Sequence, residues 1–454
     1  MPLLRIEATL TEQDSKKHIA HPFEVPEGTT QLAIRMEFEP KNVPGQPGRN
    51  LLSLSLFDPA GSRGAGHNRR ENVIMLSAVE ATPGYHPGAI QPGRWSVVVD
   101  THMVLPGEPL IYQLEVNASS DPLTGPAPNW TKGSTAPRGA GWYRGDLHSH
   151  TIHSDGSWDV PDLVAAARAR GLDFATLTDH NTVSPLPQME SLAGDDLLTM
   201  GGMELTTYYG HAVALGLRRW LDWRVQAGTR TMPQIAAEVE AAGGLFIIAH
   251  PMSVGDPVCT GCNWQYQDMM PGTARAVEIW NGGRWQKPHD QNERGLALWY
   301  SWLNQGYRMV ATAGTDSHGP IAEDVQVGFN HVYAEALSEK AILQAIRAGH
   351  LYLSVGPKLE ISGRAPDGRE AMMGDVLASD SAEITLRWRD APPDASLRLI
   401  GGGEVIGELP ASAGDEHRWN VTSEQARWYV AELRAADGVM LAVTNPVFLQ
   451  HDWR

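Results

Sequence analysis

The chain has 454 residues, of which 42% are hydrophobic and 20% are charged, and this composition excludes wholesale disorder. It carries 36 Lys and Arg against 53 Asp and Glu, a net charge of −17 that argues against long nucleic acid or an anionic membrane as a partner. No apolar run reaches transmembrane length, and the first residues lack the pattern of a signal peptide, so we expect a cytoplasmic protein.

The first part of the chain, residues 1–138, has the pattern of an all-β domain. Clusters of Gly, Pro and Asn separate five segments in which apolar and polar residues alternate: LRIEATL, TQLAIRMEF, LLSLSLFD, RWSVVVD and LIYQLEV. Short strands at such spacing are typical of a sandwich or a jelly roll. The stretch 119–141, rich in Pro, Gly and Ser, predicts a linker.

Residues 139–356 alternate short apolar strands with helices, which predicts an α/β domain with parallel strands. Its first helix can be capped by Asp159 or Ser157, has Pro161 in the first turn and stops at Gly171. Further strands are DFATLT, LFIIAHP, AVEIW and RMVATAG, and further helices are PQIAAEVEAA and SEKAILQAIRAG. From 357 to 454 the β pattern returns, which predicts a second all-β, sandwich-like domain.

Polar side chains in the middle of the chain occur where the predicted strands end. Six are histidines and three are carboxylates: His148, His150, Asp155, His180, Glu204, His211, His250, Asp316 and His318. Because the C-terminal ends of the strands of a parallel barrel meet at one face, we expect these side chains to converge. Imidazole with carboxylate is a donor set that suits Zn, Mn and Fe.

A buried histidine taken alone is more often a hydrogen-bonded core residue than a metal ligand, and a single His-x-His is equally unspecific. The nine residues differ from such an isolated histidine because all of them fall at predicted strand ends or in the loops that follow. So many polar groups in one place would be costly unless cations satisfied them. The sequence therefore predicts a metal centre.

The segments that carry these residues resemble the motifs of the PHP (polymerase and histidinol phosphatase) metal-dependent hydrolases: LHSHTIHSDG, TDHN, GMEL, GHAVALG, AHP and GTDSH. The resemblance covers about residues 142–356 and implies a distorted (β/α)7 barrel, here flanked by N-terminal and C-terminal all-β sandwich-like domains. It also implies two or three divalent metal ions (Mn, Fe or Zn). The flanking segments CTGCNW, VEIWNG and TNPVFL are more similar to the branch that includes carbaryl hydrolase.

The resemblance also implies how the ligands divide among the metals. Three sets result: His148, His150 and Asp316 with Glu204 for one metal; Glu204 again, as a bridge, with His211 and His250 for a second; and Asp155, His180 and His318 for a third. No ligand of the family pattern is missing, which implies an active enzyme rather than a non-catalytic module.

Cations about 3.5–4 Å apart would lower the pKa of a bridging water toward neutrality and so provide a metal-bridging hydroxide as nucleophile. The broader resemblance implies a phosphoesterase that acts on a small-molecule phosphoester, whereas the narrower one implies a carboxyl or carbamate ester hydrolase. The metal site cannot choose between these two. A β-domain-mediated binding protein with a vestigial barrel is a further alternative, which the complete ligand set disfavours.

Other residues near the predicted site are weaker candidates. His153 lies between ligand residues and could orient a metal-bound group or contact the substrate, although a solvent-facing loop residue explains it equally well. In the loop NGGRWQKPHDQNE, Arg284 suits an anionic substrate and His289 is a candidate acid for the leaving group, although an ordinary polar loop explains both equally well. Cys259 and Cys262 in CTGC leave open a metal clip, a redox pair or a local disulfide.

Overall fold

The protein is described by a computed structural model over residues 2–69, 71–226, 228–283, 290–450 and 452–454. These ranges form a mixed α/β structure that is rich in sheet, with 27 strands and five α-helices. Within them, no helix is both long enough and apolar enough to cross a membrane.

The N-terminal part consists of two four-stranded antiparallel sheets. Their strands are β1 (Leu4–Leu10), β2 (Lys17–Val25), β3 (Gln31–Glu39), β4 (Leu51–Asp58), β5 (Gly61–Gly66), β6 (Asn72–Ser77), β7 (Gly93–Met103) and β8 (Leu110–Ser119). The strand orders are β1-β8-β3-β6 and β2-β7-β4-β5. Alternation along β3 buries Leu32 and Ile34 but exposes Arg35, and the buried residues of both sheets share one hydrophobic cluster. The two sheets therefore enclose a common core.

The middle of the chain contains all five α-helices of the described residues. Its elements are β9 (Gly141–Asp146), α1 (Val160–Ala169), β10 (Phe174–Leu177), α2 (Leu186–Ser191), β11 (Leu198–Thr207), β12 (Gly210–Leu215), α3 (Met232–Ala241), β13 (Leu245–Ile248), β14 (Ala276–Asn281), α4 (Gln291–Asn304), β15 (Val310–Gly314), β16 (Phe329–Ala334), α5 (Glu339–Ala348) and β17 (Leu351–Ser354). Asp159 caps α1 by accepting a hydrogen bond from the Asp162 N–H at 3.1 Å. β10, β13 and β17 are buried at every position, as expected for strands covered on both faces.

The predicted (β/α)7 barrel is not seen as a closed ladder in the described residues. β9, β10 and β11 pair in parallel, but β12 pairs antiparallel with both β11 and β13. The direction of β12 is reversed because only Tyr208 and Tyr209 separate it from β11. A parallel pair would need a much longer crossover. β15 is the last strand of this ladder. On the edge of β15 that faces away from β14, the backbone bonds to a side chain instead of a strand: Ala313 N–H donates to Asn330 Oδ1 at 3.0 Å, and Asn330 Nδ2 donates to Ala313 O at 2.7 Å.

The C-terminal part is entirely β in the described residues. Its strands are β18 (Lys358–Arg364), β19 (Glu370–Met372), β20 (Val376–Leu377), β21 (Ser381–Ala391), β22 (Ser396–Gly401), β23 (Glu404–Pro410), β24 (Ala413–Thr422), β25 (Trp428–Arg434), β26 (Met440–Thr444) and β27 (Val447–Leu449). β26 pairs with β17, so the middle sheet continues through β26, β25, β22 and β23. The domain limits of the sequence analysis remain predictions.

Candidate metal centre

The nine predicted ligand residues lie on neighbouring strands or directly after them, and this placement brings them together. His148, His150 and Asp155 follow β9, His180 follows β10, Glu204 is in β11, His211 is in β12, His250 follows β13, and Asp316 and His318 follow β15. Backbone hydrogen bonds fix the loops against each other: His150 N–H donates to Ser317 O, and Asn181 N–H donates to Glu204 O, both at 2.9 Å. Three groups of ligand atoms result, each within 4.8 Å.

The first group, called here the central group, consists of His148, His150, Glu204 and Asp316. Nε2 of His148 lies 3.1 Å from Glu204 Oε2 and 3.4 Å from Asp316 Oδ1. Nε2 of His150 lies 3.3 Å from Glu204 Oε2 and 2.9 Å from Asp316 Oδ1. Two imidazole nitrogens and two carboxylate oxygens therefore point at one another, an arrangement that a single cation would satisfy.

The second group, the loop group, consists of Glu204, His211 and His250. Oε1 of Glu204 lies 3.0 Å from Nδ1 of His211 and 3.2 Å from Nε2 of His250. The other oxygen, Oε2, belongs to the central group. The two oxygens of this carboxylate therefore serve different groups, which is the geometry required of a bridging ligand.

The third group, the mouth group, consists of His150, Asp155, His180 and His318. Oδ1 of Asp155 lies 3.3 Å from Nε2 of His180 and 3.1 Å from Nε2 of His318. The side chain of His318 is 39% exposed, whereas those of His150 and Glu204 are fully buried. The mouth group therefore contains the most exposed side chain of the nine ligand residues.

Several buried atoms of the cluster have no hydrogen-bond partner. They are Nε2 of His148, both ring nitrogens of His150, Oδ1 of Asp155 and Oε2 of Glu204. Buried polar atoms are nearly always satisfied, and leaving a charged one unpaired is costly. Coordination of divalent cations would satisfy these atoms together, so the residues present fit a metal centre.

The electrostatics of the cluster keep its carboxylates ionised. Burial alone would raise the pKa of Glu204, but His180, His148 and His211 outweigh it and hold that pKa well below its ordinary range. Asp316 shows the same balance between burial and its histidine neighbours, and its pKa is also lowered well below the ordinary value. Carboxylates that are ionised at neutral pH are the form that binds cations.

The histidines divide into two classes. Burial and the nearby His180 lower the pKa of His150 to about 3. Burial also lowers the pKa of His148, but Asp316, Glu278 and Glu204 outweigh burial and raise that pKa well above its ordinary value. The pKa of His180 is raised in the same way, by Glu204 and Asp155 against burial. In the metal-free protein His150 is therefore neutral, while His148 and His180 hold protons that a cation must displace.

Two side chains outside the predicted ligand set, Glu278 and Asn281, form hydrogen bonds with ligand residues. Nδ1 of His148 donates to Oε2 of the buried Glu278 at 2.9 Å, which orients Nε2 toward the central group. Asn281 Nδ2 donates to Glu278 at 2.6 Å and to Oδ2 of Asp316 at 3.2 Å. The sequence offers one signal for Glu278, because it is the single acid inside the apolar run AVEIW.

The N-terminal sheets also contribute to the site. Asn68, just after β5 and with a φ of +51°, donates from Nδ2 to Oδ2 of Asp155 at 3.0 Å. Its Oδ1 in turn accepts from Arg49. His67 is buried, and its ring centroid lies 4.6 Å from that of His180. No local sequence pattern indicates the contacts with Asp155 and His180, because Asn68 lies 87 positions before Asp155 and His67 lies 113 positions before His180.

The CTGC segment forms a local disulfide in the structure, so the two sulfur atoms of Cys259 and Cys262 are bonded to each other and do not form a metal clip. Both cysteines line the pocket over the cluster. The same segment also contacts two ligand residues: Thr260 O accepts from Nε2 of His211 at 3.1 Å, and Cys262 O accepts from Nδ1 of His250 at 3.2 Å.

The three non-ligand candidates fare differently. Nδ1 of His153 lies 2.8 Å from Ser184 Oγ and accepts from the Gly84 N–H at 3.2 Å, so His153 lies at the contact with the N-terminal part. It is not among the described residues that line the pocket over the cluster. Arg284 and His289 lie outside the described residues.

The pocket over the cluster has a volume of about 200 Å³. It is lined by ligand residues, by the CTGC segment and by N-terminal residues: Arg49, Leu51, His67, Asn68, Met103, Asp155, His180, His211, His250, Pro257, Val258, Cys259, Thr260, Cys262, Asp316 and His318. A volume of this size fits a small substrate group.

Comparisons with known proteins give no family by sequence: neither a family model nor a curated protein matches. Among solved structures, a two-domain protein from Bacteroides vulgatus containing a predicted PHP-like metal-dependent phosphoesterase is 16% identical, with a TM-score of 0.38, over 71% of this chain and 100% of that one. An amidohydrolase from Chromobacterium violaceum with bound sulfate and no metal is 16% identical, with a TM-score of 0.26, over 40% of this chain and 89% of that one. At such low values these likenesses establish neither family nor activity.

Proposed function

We propose that the protein is a metal-dependent hydrolase whose substrates are small-molecule phosphoesters. The observation that carries the proposal is the set of three ligand groups, joined through Glu204 and His150, in which five buried nitrogen and oxygen atoms have no hydrogen-bond partner. A structural cluster would satisfy these atoms internally, whereas a metal centre leaves them free for cations. The resemblance of the sequence motifs to PHP hydrolases points the same way.

Divalent cations, when bound, would activate water at neutral pH and stabilise the charge that develops on the substrate. The chain's own residues hold and orient the site. Glu204 presents one oxygen to the central group and the other to the loop group. Glu278 fixes the ring of His148, and Asn68 fixes the carboxylate of Asp155. Water can reach the cluster through the mouth group, where His318 is partly exposed.

Support for a phosphoester comes from the pocket wall. Arg49 lines the pocket, and a guanidinium suits an anionic oxygen. The pocket also has an apolar side formed by Leu51, Met103 and Val258. That side supports the second candidate, a carboxyl or carbamate ester hydrolase, because a neutral aryl ester would need apolar walls.

The test is a matched set of assays on the purified protein with aryl phosphate mono- and diesters, aryl esters and aryl carbamates, each with Mn and with Zn. We expect metal-dependent cleavage of a phosphoester that is lost in Glu204→Gln and kept in the control Glu424→Gln, an exposed C-terminal position. Full activity in protein stripped of metal would contradict the hydrolase mechanism. A higher kcat/KM for carbamates than for every phosphoester would overturn only the substrate class.

A further inference from the structure

The disulfide loop has two backbone carbonyls aimed at ligand residues. Thr260 O accepts from Nε2 of His211 at 3.1 Å, and Cys262 O accepts from Nδ1 of His250 at 3.2 Å. The opposite ring nitrogens face Glu204 Oε1, at 3.0 Å for His211 and 3.2 Å for His250. One short segment therefore orients both histidines of the loop group.

These contacts choose the tautomer of each imidazole. A carbonyl oxygen can only accept a hydrogen bond, so the nitrogen that faces it must carry the proton. With a cation bound in the loop group, each ring would be neutral and would direct a lone pair from Nδ1 of His211 and from Nε2 of His250, the two atoms on the Glu204 side. Outer partners of this kind fix ring orientation and raise the basicity of metal-binding histidines.

The segment itself has little regular structure to hold it, because residues 255–262 form turns without helix or strand. Thr260 Oγ1 donates to His102 O at 3.2 Å, which ties the segment to β7. Gly261 has a φ of +77°, and a Cβ there would lie 2.0 Å from Thr207 O. The disulfide spans Cys259 to Cys262, so it closes the stretch that carries both carbonyls.

We propose that the Cys259–Cys262 disulfide is a positioning element for the loop group, and that opening it selectively weakens metal binding there. The inference rests on the proposed function, because it assumes that the loop group holds a cation. Opening proceeds by exchange with a small dithiol. One thiolate of the dithiol attacks a sulfur of the pair, and the second then closes the reagent into its own disulfide. The S–S bond of the protein is broken, and Cys259 and Cys262 each gain one electron and one proton.

The selectivity follows from which residues the segment contacts. The hydrogen bond that orients Asp155 of the mouth group comes from Asn68, which belongs to the N-terminal part of the chain. Opening the disulfide should therefore leave the mouth group intact.

Both cysteines are half-buried and line the pocket, so a small dithiol can reach them.

The experiment compares the metal-loaded wild type with the double variant Cys259→Ser/Cys262→Ser, without reductant, so that thiol reagents cannot strip metal. We expect the ion of the loop group to bind about 10–100-fold more weakly, the range for loss of an outer partner, and therefore to leave faster to a chromogenic chelator. Anomalous diffraction from crystals of the double variant should show reduced occupancy beside His211 and His250 and unchanged occupancy beside Asp155. Wild type treated with dithiothreitol and then freed of it should behave like the double variant, and reoxidation should restore it.

Two further variants keep the test sharp if the double variant folds poorly. Gly261→Ala retains the disulfide but displaces the segment, and we expect the same selective metal loss. Val254→Ala, an exposed position just before the segment, should release metal like the wild type. Release from a folded double variant at the wild-type rate would overturn the inference, and so would a wild-type rate in Gly261→Ala if the double variant does not fold. A wild type that binds no divalent metal would instead overturn the proposed function.

Discussion

The loop group and the mouth group are built from similar side chains but are held in different ways. In the loop group, the side chains of Glu204, His211 and His250 are 0%, 3% and 4% exposed. Their orientation comes from neighbouring strands and from carbonyls of the adjoining disulfide segment. In the mouth group, Asp155 is 11% exposed and His318 39% exposed. Asp155 is oriented by a residue from the N-terminal sheets.

This contrast indicates that the two groups would hold their cations with different affinity and different exposure to solvent. A cation in the loop group would be surrounded by buried ligands with fixed tautomers, so it should bind tightly and exchange slowly. A cation in the mouth group would meet solvent and substrate, and its affinity would depend on the packing of two distant parts of the chain. The N-terminal part of the chain therefore contributes to the site, through the hydrogen bond of Asn68 to Asp155.

The largest effect is expected from Glu204→Gln, which removes the carboxylate shared by the central and loop groups. We expect loss of ions from both groups and a fall in kcat/KM of more than about 100-fold, because even an outer partner is worth 10–100-fold. Metal content per chain and steady-state kinetics are the measurements. His153→Ala should cost far less, since His153 lies outside the pocket lining of the described residues. Equal losses in both variants at unchanged metal content would show that Glu204 is not a bridge.

Glu278→Gln tests the hydrogen bond that orients His148 in the central group. The change removes the negative charge that faces Nδ1 of His148 at 2.9 Å while keeping the shape of the side chain. We expect metal affinity to fall by about 10–100-fold. Titration with Zn against a competing chelator measures this fall. An affinity equal to that of the wild type would mean that Glu278 contributes only packing.

Acidification should weaken metal binding by about tenfold per pH unit for each proton displaced. The sign follows from His148 and His180, whose raised pKa values leave them protonated in the metal-free protein. Because metal must displace these protons, affinity rises with pH until both pKa values are passed. Calorimetric titrations in two buffers of different ionisation enthalpy count the protons released. Release of none would contradict the raised pKa values.

The smallest effect is expected from Asn68→Ala, which removes the hydrogen bond to Asp155. We expect about a tenfold loss of affinity, the lower end of the range for outer partners, confined to the mouth-group ion. The matched control is Asn117→Ala, an exposed position on β8 of the N-terminal sheets. If Asn68→Ala loosens the loop-group ion equally, the two groups are not independent.

The convergence of the nine ligand residues could be predicted from the sequence, because each follows or lies in a short apolar strand that local composition reveals. Thr260 and Cys262 could not be predicted as partners, since they act through backbone carbonyls that every residue possesses. Asn68 was hidden for another reason: its contact with Asp155 depends on how separate sheets pack. The open edge of β15 likewise depends on Asn330, a side chain whose role appears only when β16 lies beside β15.

The most direct test of the metal centre is anomalous diffraction from crystals of protein purified without chelator, recorded at the edges of Mn, Fe and Zn. We expect at least two peaks. One should lie between His148, His150, Glu204 and Asp316, at about 2.0–2.2 Å from their ligand atoms if the metal is Zn, and another should lie in the loop or mouth group. A fully active protein whose crystals show no anomalous peak within these three groups would contradict the assignment of a metal centre.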